Sequence, residues 1–565
     1  MVYEIKNSIK TSFEEIIKDL YDIEANIVIE KPKSIEMGDF AIPVFMLSKI
    51  LKKAPVVIAS EIAEKFESDV VDKVEVVNGY VNIFLNKELF TSSLFSKIID
   101  QGYNYANGIG NENKTVIVEY SSPNIAKPFH IGHIRTTLIG AALYNVFKKR
   151  GYDTVGINHI GDYGTQFGKL IVAINNWGDK DVIAKNPIPE LLKLYIKFHD
   201  EAENHPELED EARSWFTKLE NNNEEAYELW EWIREISLIE FNRVYDMFNI
   251  KFDSYAGESF YSDKMPAIIE EMKEKKVLIE DDGAGIVKLE EYGMPNALVT
   301  KRDGSTMYIT RDLAAAQYRH EHYNFYKNIY VVGYQQELHF NQWMKIHELM
   351  GHKWVKDCVH IPFGTVSLEE GSLSTRAGRV LFLEDVLNKA IAKSNEILIE
   401  KKSNIKDFNQ VSKQIGIGAI VFQELFINRK KDYSFSWEKT LSFEGETGPY
   451  IQYTGVRIKS LLKDFEVMTN IDLKYDQISS ELWKIVSTLM SFEEILDYTI
   501  DKYDPSQLAK YVLELASEFN KYYASTKIFV EDKNEKYLNL VVCKSVLTVL
   551  EEGTKILGIE IPEEM

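Results

Sequence analysis

The spacing of hydrophobic and polar positions changes character several times along this chain. Over the first hundred residues, Ala25 to Glu30, Lys73 to Val77 and Tyr80 to Leu85 read as short strands between helical patterns. That region ends in the polar, glycine-containing stretch Gly108 to Lys114, so residues 1–110 are expected to form a separate α+β domain. Thr115-Val-Ile-Val-Glu119-Tyr120 is then an apolar run suited to a buried parallel strand, and Ser121 to Pro128 is a loop. From Ile134 the apolar residues Leu138, Ala141, Ala142, Val146 and Phe147 share one helical face, and Gly151 stands where a helix-ending glycine belongs. Val155 to Ile160 reads as the next strand. The result is a βαβ unit, which binds nucleotides at the strand's carboxyl end beside the helix N-terminus.

Residues 170–240 are helical, acidic and rich in Trp, and read as an insertion into the sheet domain. Asn328 to Gly333 and His360 to Val366 bring the sheet back. From about Leu383 onward helical periodicity dominates, with long segments at Ser480 to Asp501, Ser506 to Ile528 and Leu540 to Leu557. The expected fold is therefore multidomain α/β plus α. An N-terminal α+β domain (1–110) precedes a Rossmann-type parallel-sheet domain (111–382), a helical connecting region (383–445) and a C-terminal helical bundle (446–565).

Composition narrows the class. With 565 residues the chain is long enough for several cores, and 45% hydrophobic with 27% charged residues is ordinary for a soluble globular protein. No uncharged apolar run reaches the roughly 18 residues needed to cross a bilayer. The start lacks a signal-peptide profile, and the reading is cytoplasmic. The two cysteines, Cys358 and Cys543, are far apart and form no Cys-x-x-Cys, so neither a disulfide framework nor a thiolate zinc site is indicated. The formal charge of −22 is the wrong sign for diffuse attraction to nucleic acid, so a nucleic-acid partner would need a local basic track.

The sharpest chemical feature is His130-Ile131-Gly132-His133 at the strand-to-helix turn. Two imidazoles opening a helix can present N–H donors to phosphoryl oxygens while the helix N-terminus adds partial positive charge. Gly132 leaves room for a nucleotide to approach the backbone. The alternative for the tetrapeptide alone is a metal-binding pair or a chance His-x-Gly-His.

Glu119-Tyr-Ser-Ser-Pro-Asn124-Ile-Ala-Lys127-Pro-Phe-His130-Ile-Gly-His133, continued by Asn158-His-Ile-Gly-Asp162-Tyr-Gly-Thr-Gln166-Phe-Gly168, resembles the signature of arginyl-tRNA synthetases, a class I aminoacyl-tRNA synthetase family. The likeness extends through Gly257 to Tyr261, Tyr308 to Ala315, Val331 to Phe340, Thr447 to Arg457 and Leu557 to Met565. It implies activation of L-arginine by ATP to arginyl-adenylate and pyrophosphate, then transfer to the terminal adenosine of the arginine tRNA. It also implies magnesium entering with ATP, no zinc, and a monomer. The catalytic set would be His130, His133, Lys127 and Gly132.

A guanidinium has five fixed donors and no acceptor, so its pocket needs carboxylates and other oxygens. Tyr308 and Asp312, four residues apart, share a face if their segment is helical, and Glu119 ends a strand. The resemblance assigns these three to the arginine side chain, and Asn124 and Gln336 to its amino-acid end. Without it, Asp312 reads as a surface ion pair with Arg311 or Arg319. The second class I signature, KMSKS, has its counterpart in Gly371 to Gly378, where Ser372 and Thr375 replace both lysines. The resemblance makes Ser374 and Arg376 in that stretch the expected ATP contacts. For tRNA, the resemblance points to Tyr80 and Asn82 in the N-terminal domain and to Tyr450, Tyr523 and Met565 in the bundle, since aromatic faces stack on unpaired bases. Two other readings compete: a small His-x-Gly-His nucleotidyltransferase, which would not need the helical third, and a non-catalytic tRNA-binding paralogue, which would not need both histidines.

Overall fold

The structure is a computed structural model that describes residues 2–302, 305–368, 382–401, 405–466, 473, 475 and 478–565. Strands β1 (Phe40–Pro43), β2 (Val71–Val77) and β3 (Tyr80–Leu85) form an antiparallel sheet in the order β1-β3-β2, against which the helix Pro55–Lys65 packs, with the helix Val2–Tyr21 packed on that helix. Ala25 to Glu30, read as a strand, is not one. Its inward-outward alternation is real, with Ile27 buried, but the Ile27 N–H donates to the Glu14 carboxylate and only Glu30 pairs with the sheet, as a bridge to Ala41.

Strand β4 (Thr115–Glu119) leads through the 121–130 loop into the helix Ile134–Lys149, and β5 (Asp153–Ile157) returns parallel to β4. The strand expected to reach Ile160 stops at Ile157, because the Asn158 N–H turns to the Ser254 carbonyl. Five helices between Thr165 and Met247 form the insertion. A small antiparallel sheet follows, β6 (Ile279–Asp281), β7 (Ala284–Val287) and β8 (Ala297–Thr300). It was not anticipated. Asp282 and Gly283 join β6 to β7 with φ of 49° and 78°, the left-handed pair of a tight hairpin turn, and Asp-Gly is its recognised sequence signal.

Strands β9 (Lys327–Gly333) and β10 (Cys358–Phe363) complete a four-stranded parallel sheet in the order β10-β9-β4-β5. Alternation along β4 shows how it is filled: Val116 and Val118 join the core shared with the helical third, while Ile117 joins the core on the opposite face. Each such fully buried aliphatic side chain contributes roughly 1.5–3 kcal/mol. The chain crosses from β5 on one side of β4 to β9 on the other, so the crevice at the carboxyl ends of β4 and β9 is the place where such sheets hold ligands. Two short strands, β11 (Val366–Leu368) and β12 (Tyr433–Phe435), pair in parallel beside it.

The rest is helical. Ser480 to Asp501 is two helices, Ser480–Met490 and Phe492–Lys502, divided at Ser491, whose hydroxyl donates to the Thr488 carbonyl. The helix Lys533–Leu557 lies against the Ile134–Lys149 helix, with Lys149 paired to Glu552 at 2.7 Å and Asn145 donating to the Ile556 carbonyl.

Candidate active site at the carboxyl ends of the parallel strands

The loop after β4 holds an unusual backbone. Ser121, Ser122 and Ala126 have φ of 70°, 50° and 59°, each in the left-handed region that non-glycine residues seldom adopt. Surrounding bonds hold them there. The Ser121 N–H donates to Thr136 Oγ1 at 3.0 Å, its hydroxyl lies 2.8 Å from the Tyr245 hydroxyl, and the Ser122 N–H donates to Asn158 Oδ1. The Ala126 N–H donates to Ser237 Oγ on the insertion's last helix.

The loop delivers His130 and His133 to the start of the Ile134–Lys149 helix. Gly132 N–H donates to His130 Nδ1 at 3.0 Å, and His130 N–H donates to His133 Nδ1 at 3.3 Å. With each Nδ1 accepting, the neutral rings carry their proton on Nε2, the atom left to act as a donor. Burial holds the His130 imidazole below its ordinary range. Burial, helped by the neighbouring His130, pushes His133 down to about 3. Gly132 serves a purpose the sequence reading did not give it. A Cβ there would lie 2.8 Å from His130 Cε1, so the glycine makes room for the imidazole. The two rings sit 4.1 Å apart, and with Asn124, Lys127 and Phe382 they line a cavity of about 950 Å³.

A second cavity of about 230 Å³ opens at the strand ends and shares Asn124 with the first. Glu119, Asp312, Tyr308, Asn124 and Gln336, far apart in the chain, all line it. Glu119 is buried at the end of β4, whereas Asn124, Gln336 and Tyr308, the last 52% exposed, stand at the mouth. Tyr308 and Asp312 do lie on one helix, Tyr308–Tyr323, and the Asp312 charge raises the Tyr308 hydroxyl above its usual range. Asp312 is paired with neither Arg311 nor Arg319. Its Oδ2 accepts from His339 Nε2 at 2.6 Å, while Arg311 pairs with Glu258 at 2.8 Å and Arg319 with Glu119 at 2.6 Å.

Sequence reasoning missed the wall of this cavity. Glu258, in the quoted Gly257 to Tyr261 run but given no role, lines it, and burial pushes its carboxyl up to about 7 against the pull of Arg311. Asp162, fully buried, accepts from the Ser259 N–H, the Ser259 hydroxyl and Arg234 Nε. His159 and His339 also line the cavity. Among the described residues no three His, Cys, Asp or Glu side chains are grouped so as to hold a metal ion.

Residues 95–437 match the family model described as tRNA synthetases class I (R), catalytic domain. The chain belongs to the arginyl-tRNA synthetases. Residues 4–85 match the arginyl tRNA synthetase N terminal domain, and residues 451–565 the DALR anticodon binding domain. Proteins named arginine–tRNA ligase from Halothermothrix orenii and Clostridioides difficile are 55% and 54% identical, each comparison covering 100% of both chains. The fold is shared with arginyl-tRNA synthetase structures from Plasmodium falciparum (TM-score 0.83, 24% identity, 99% of each chain) and Thermus thermophilus (TM-score 0.84, 21% identity, 99% of this chain and 100% of that one).

The remaining expected sites are scattered over the chain. Lys127 is exposed on the wall of the larger cavity. Ser374 and Arg376 lie outside the described residues, as do Ser372 and Thr375. On β3, Tyr80 is half-buried with its ring 5.1 Å from Phe45, but Asn82 is buried at 4% exposure, so its amide is not displayed on the surface as a nucleic-acid contact would be. In the bundle Tyr523 is exposed, and the Arg457 guanidinium sits between it and Tyr453, 5.1 Å and 5.0 Å from the two rings. Tyr453 and Arg457 were not chosen from sequence. Tyr450 is half-buried, its hydroxyl accepting from the Asn520 amide, and Met565 is half-buried against the core near Leu398 and Ile415.

Proposed function

We propose that this chain is an arginine–tRNA ligase whose chemistry runs through two adjoining cavities. The observation that carries the reading is the placement of two carboxylates, Glu119 and Asp312, in a small cavity that meets the His130 and His133 cavity at Asn124. Arginine enters guanidinium first. Glu119, Asp312 and the Tyr308 hydroxyl accept its donors, while Asn124 and Gln336 at the mouth take the amino-acid end. That leaves the arginine carboxylate at the junction, facing the α-phosphate of ATP in the larger cavity, beside Gly132; Ser374 and Arg376 are proposed ATP contacts on the family likeness alone.

A carboxylate oxygen of arginine attacks the α-phosphorus in line, an oxygen–phosphorus bond forms, and pyrophosphate leaves with the electron pair of the broken bond. Nothing in this step needs an enzyme nucleophile. The Nε2–H donors of His130 and His133 stabilise charge growing on the phosphoryl oxygens, and neutral rings held in place do so without reorganising. Lys127 supplies a positive charge from the loop. Magnesium enters with ATP as part of the substrate. In the second step the terminal ribose hydroxyl of tRNA attacks the arginyl carbonyl, the bond between that carbonyl and the phosphate oxygen breaks with its electron pair going to AMP, and the hydroxyl proton is released, giving arginyl-tRNA.

Tyr80 in the N-terminal domain and Tyr450, Tyr523 and Met565 in the bundle are the proposed tRNA contacts, with the enzyme acting as a cytoplasmic monomer. No described helix is long and apolar enough to cross a membrane. The test is exchange of labelled pyrophosphate into ATP with each amino acid in turn, with and without tRNA. Exchange is expected with arginine, and only when tRNA is present, as the family likeness implies. Exchange with another amino acid, or none with any, overturns the reading.

A further inference from the structure

Glu119 and Asp312, the two carboxylates assigned to arginine, share an arrangement that the substrate contacts alone do not explain. Each has one oxygen already occupied by a neighbouring side chain. Arg319, wholly buried and 5.4 Å and 5.8 Å from the Tyr330 and Tyr261 rings, reaches Glu119 Oε2 at 2.6 Å. His339 Nε2 donates to Asp312 Oδ2 at 2.6 Å, with the His339 ring 5.2 Å from that of Tyr308. The donors come from different places. Arg319 lies on the same helix as Asp312, and His339 on the helix Glu337–Leu349, three residues after Gln336.

We infer that His339 is a positioning residue for arginine, with Arg319 as its counterpart: each fixes one oxygen of a pocket carboxylate and so presents the other to the guanidinium. An unrestrained aspartate must give up side-chain rotation when it accepts a planar donor set. A pinned one has already done so, and the bound state loses less entropy. The pin is also selective in kind. A guanidinium needs acceptors at set positions around its plane, whereas an ammonium on a flexible stem adapts to whatever orientation a carboxylate takes. The inference rests on the placement of arginine proposed above.

Arg319 is too deeply buried for a clean test, because its loss leaves Glu119 charged and unpaired inside the protein. His339 and Asp312 are both partly accessible, at 19% and 21% of their side-chain surface, so His339 is the residue to vary. Its Nε2 is matched by a glutamine amide, and its ring packing by phenylalanine. Steady-state pyrophosphate exchange with saturating tRNA should show the arginine KM of H339A and H339F raised about tenfold, the scale of one lost charge-assisted hydrogen bond. The KM for ATP and the turnover number at saturating arginine should change far less, and H339Q should recover most of the loss. Because His339 acts only through Asp312, adding H339A to D312A should raise the arginine KM no further.

Recovery by phenylalanine but not by glutamine would mean that the ring merely packs, and would overturn the inference. So would a D312A enzyme with a raised arginine KM beside an H339A enzyme with a normal one. A D312A enzyme with a normal arginine KM would remove the proposed arginine site itself, and the role of His339 with it.

Discussion

Gly132 lies beneath the His130 imidazole, its N–H donating to Nδ1 at 3.0 Å, with no space between them for a methyl group. Its backbone is not in the left-handed region, so alanine there strains nothing but the ring. Gly132→Ala is therefore expected to fold normally while the ring swings away and its Nε2–H loses aim. Adenylate formation should slow by about tenfold or more, ~1.4 kcal/mol of transition-state stabilisation, with thermal unfolding nearly unchanged. Single-turnover kinetics beside a melting curve decide it, and full activity in this variant would remove the steric argument.

Asp312→Ala removes the acceptor that a guanidinium meets in the small cavity. Loss of one partner from a desolvated charge pair typically costs about 2–5 kcal/mol. The arginine KM is expected to rise accordingly, toward the lower end because Asp312 is only partly buried, while the ATP KM stays near its original value. Equal losses for the two substrates would place Asp312 outside the pocket.

What the sequence made legible was local. The β4 strand, its loop, the His130 to His133 turn and the following helix are contiguous, and each carries its own periodic or turn signal, so their order and the crevice they form could be read directly. Tyr308 and Asp312 could be placed on one face because four residues is a helical interval. The partner of Asp312 could not. Arg311 and Arg319 were the near candidates in sequence, yet Arg311 turns to Glu258 and Arg319 to Glu119, while His339 arrives from another helix. Pairings of that kind are settled by tertiary packing. The β6 to β8 sheet was missed for the opposite reason, since its strands of three or four residues are too short to show a period.

Histidine burial away from the site sets a pH dependence of stability. His347 is wholly buried on the helix Glu337–Leu349, with Nε2 3.1 Å from the Leu313 carbonyl and Nδ1 2.9 Å from His352 Nδ1, and burial pushes it down to about 3. Between the ordinary histidine value of 6.5 and about 3, the unfolded chain binds a proton at this residue that the folded chain refuses. Stability therefore falls as pH falls through that window, at up to about 1.4 kcal/mol per pH unit. Glu258, raised from 4.5 to about 7, works in the opposite direction between those values. It is common to the wild type and to a His347→Gln variant, whose amide can still donate to the Leu313 carbonyl. Denaturant titrations at pH 6.5 and 5.5 should show a shallower loss in the variant, and equal slopes would mean that His347 is protonated in the folded enzyme.

The last prediction concerns the absent lysines of the second signature. In-line displacement at the α-phosphorus concentrates negative charge on the phosphoryl oxygens, and Ser372 and Thr375 offer no cation where that signature normally does. The two site histidines cannot replace it, because burial holds both below their ordinary range and they serve as neutral donors. Lys127 is exposed on the wall of the cavity that His130 and His133 line, three residues before His130 and in a loop whose backbone is pinned at Ala126. Its stem is long and flexible, so the ammonium can follow the phosphates as charge shifts onto them. Lys127→Ala should slow adenylate formation by at least ~100-fold, roughly 2.7 kcal/mol, with arginine affinity little changed, and adding Thr375→Lys should recover part of the loss. Arg376, in the same stretch as the absent lysines, is the competing cation. If Lys127→Ala forms adenylate at nearly the original rate while Arg376→Ala does not, the compensating charge lies in that stretch and Lys127 has no part in the step.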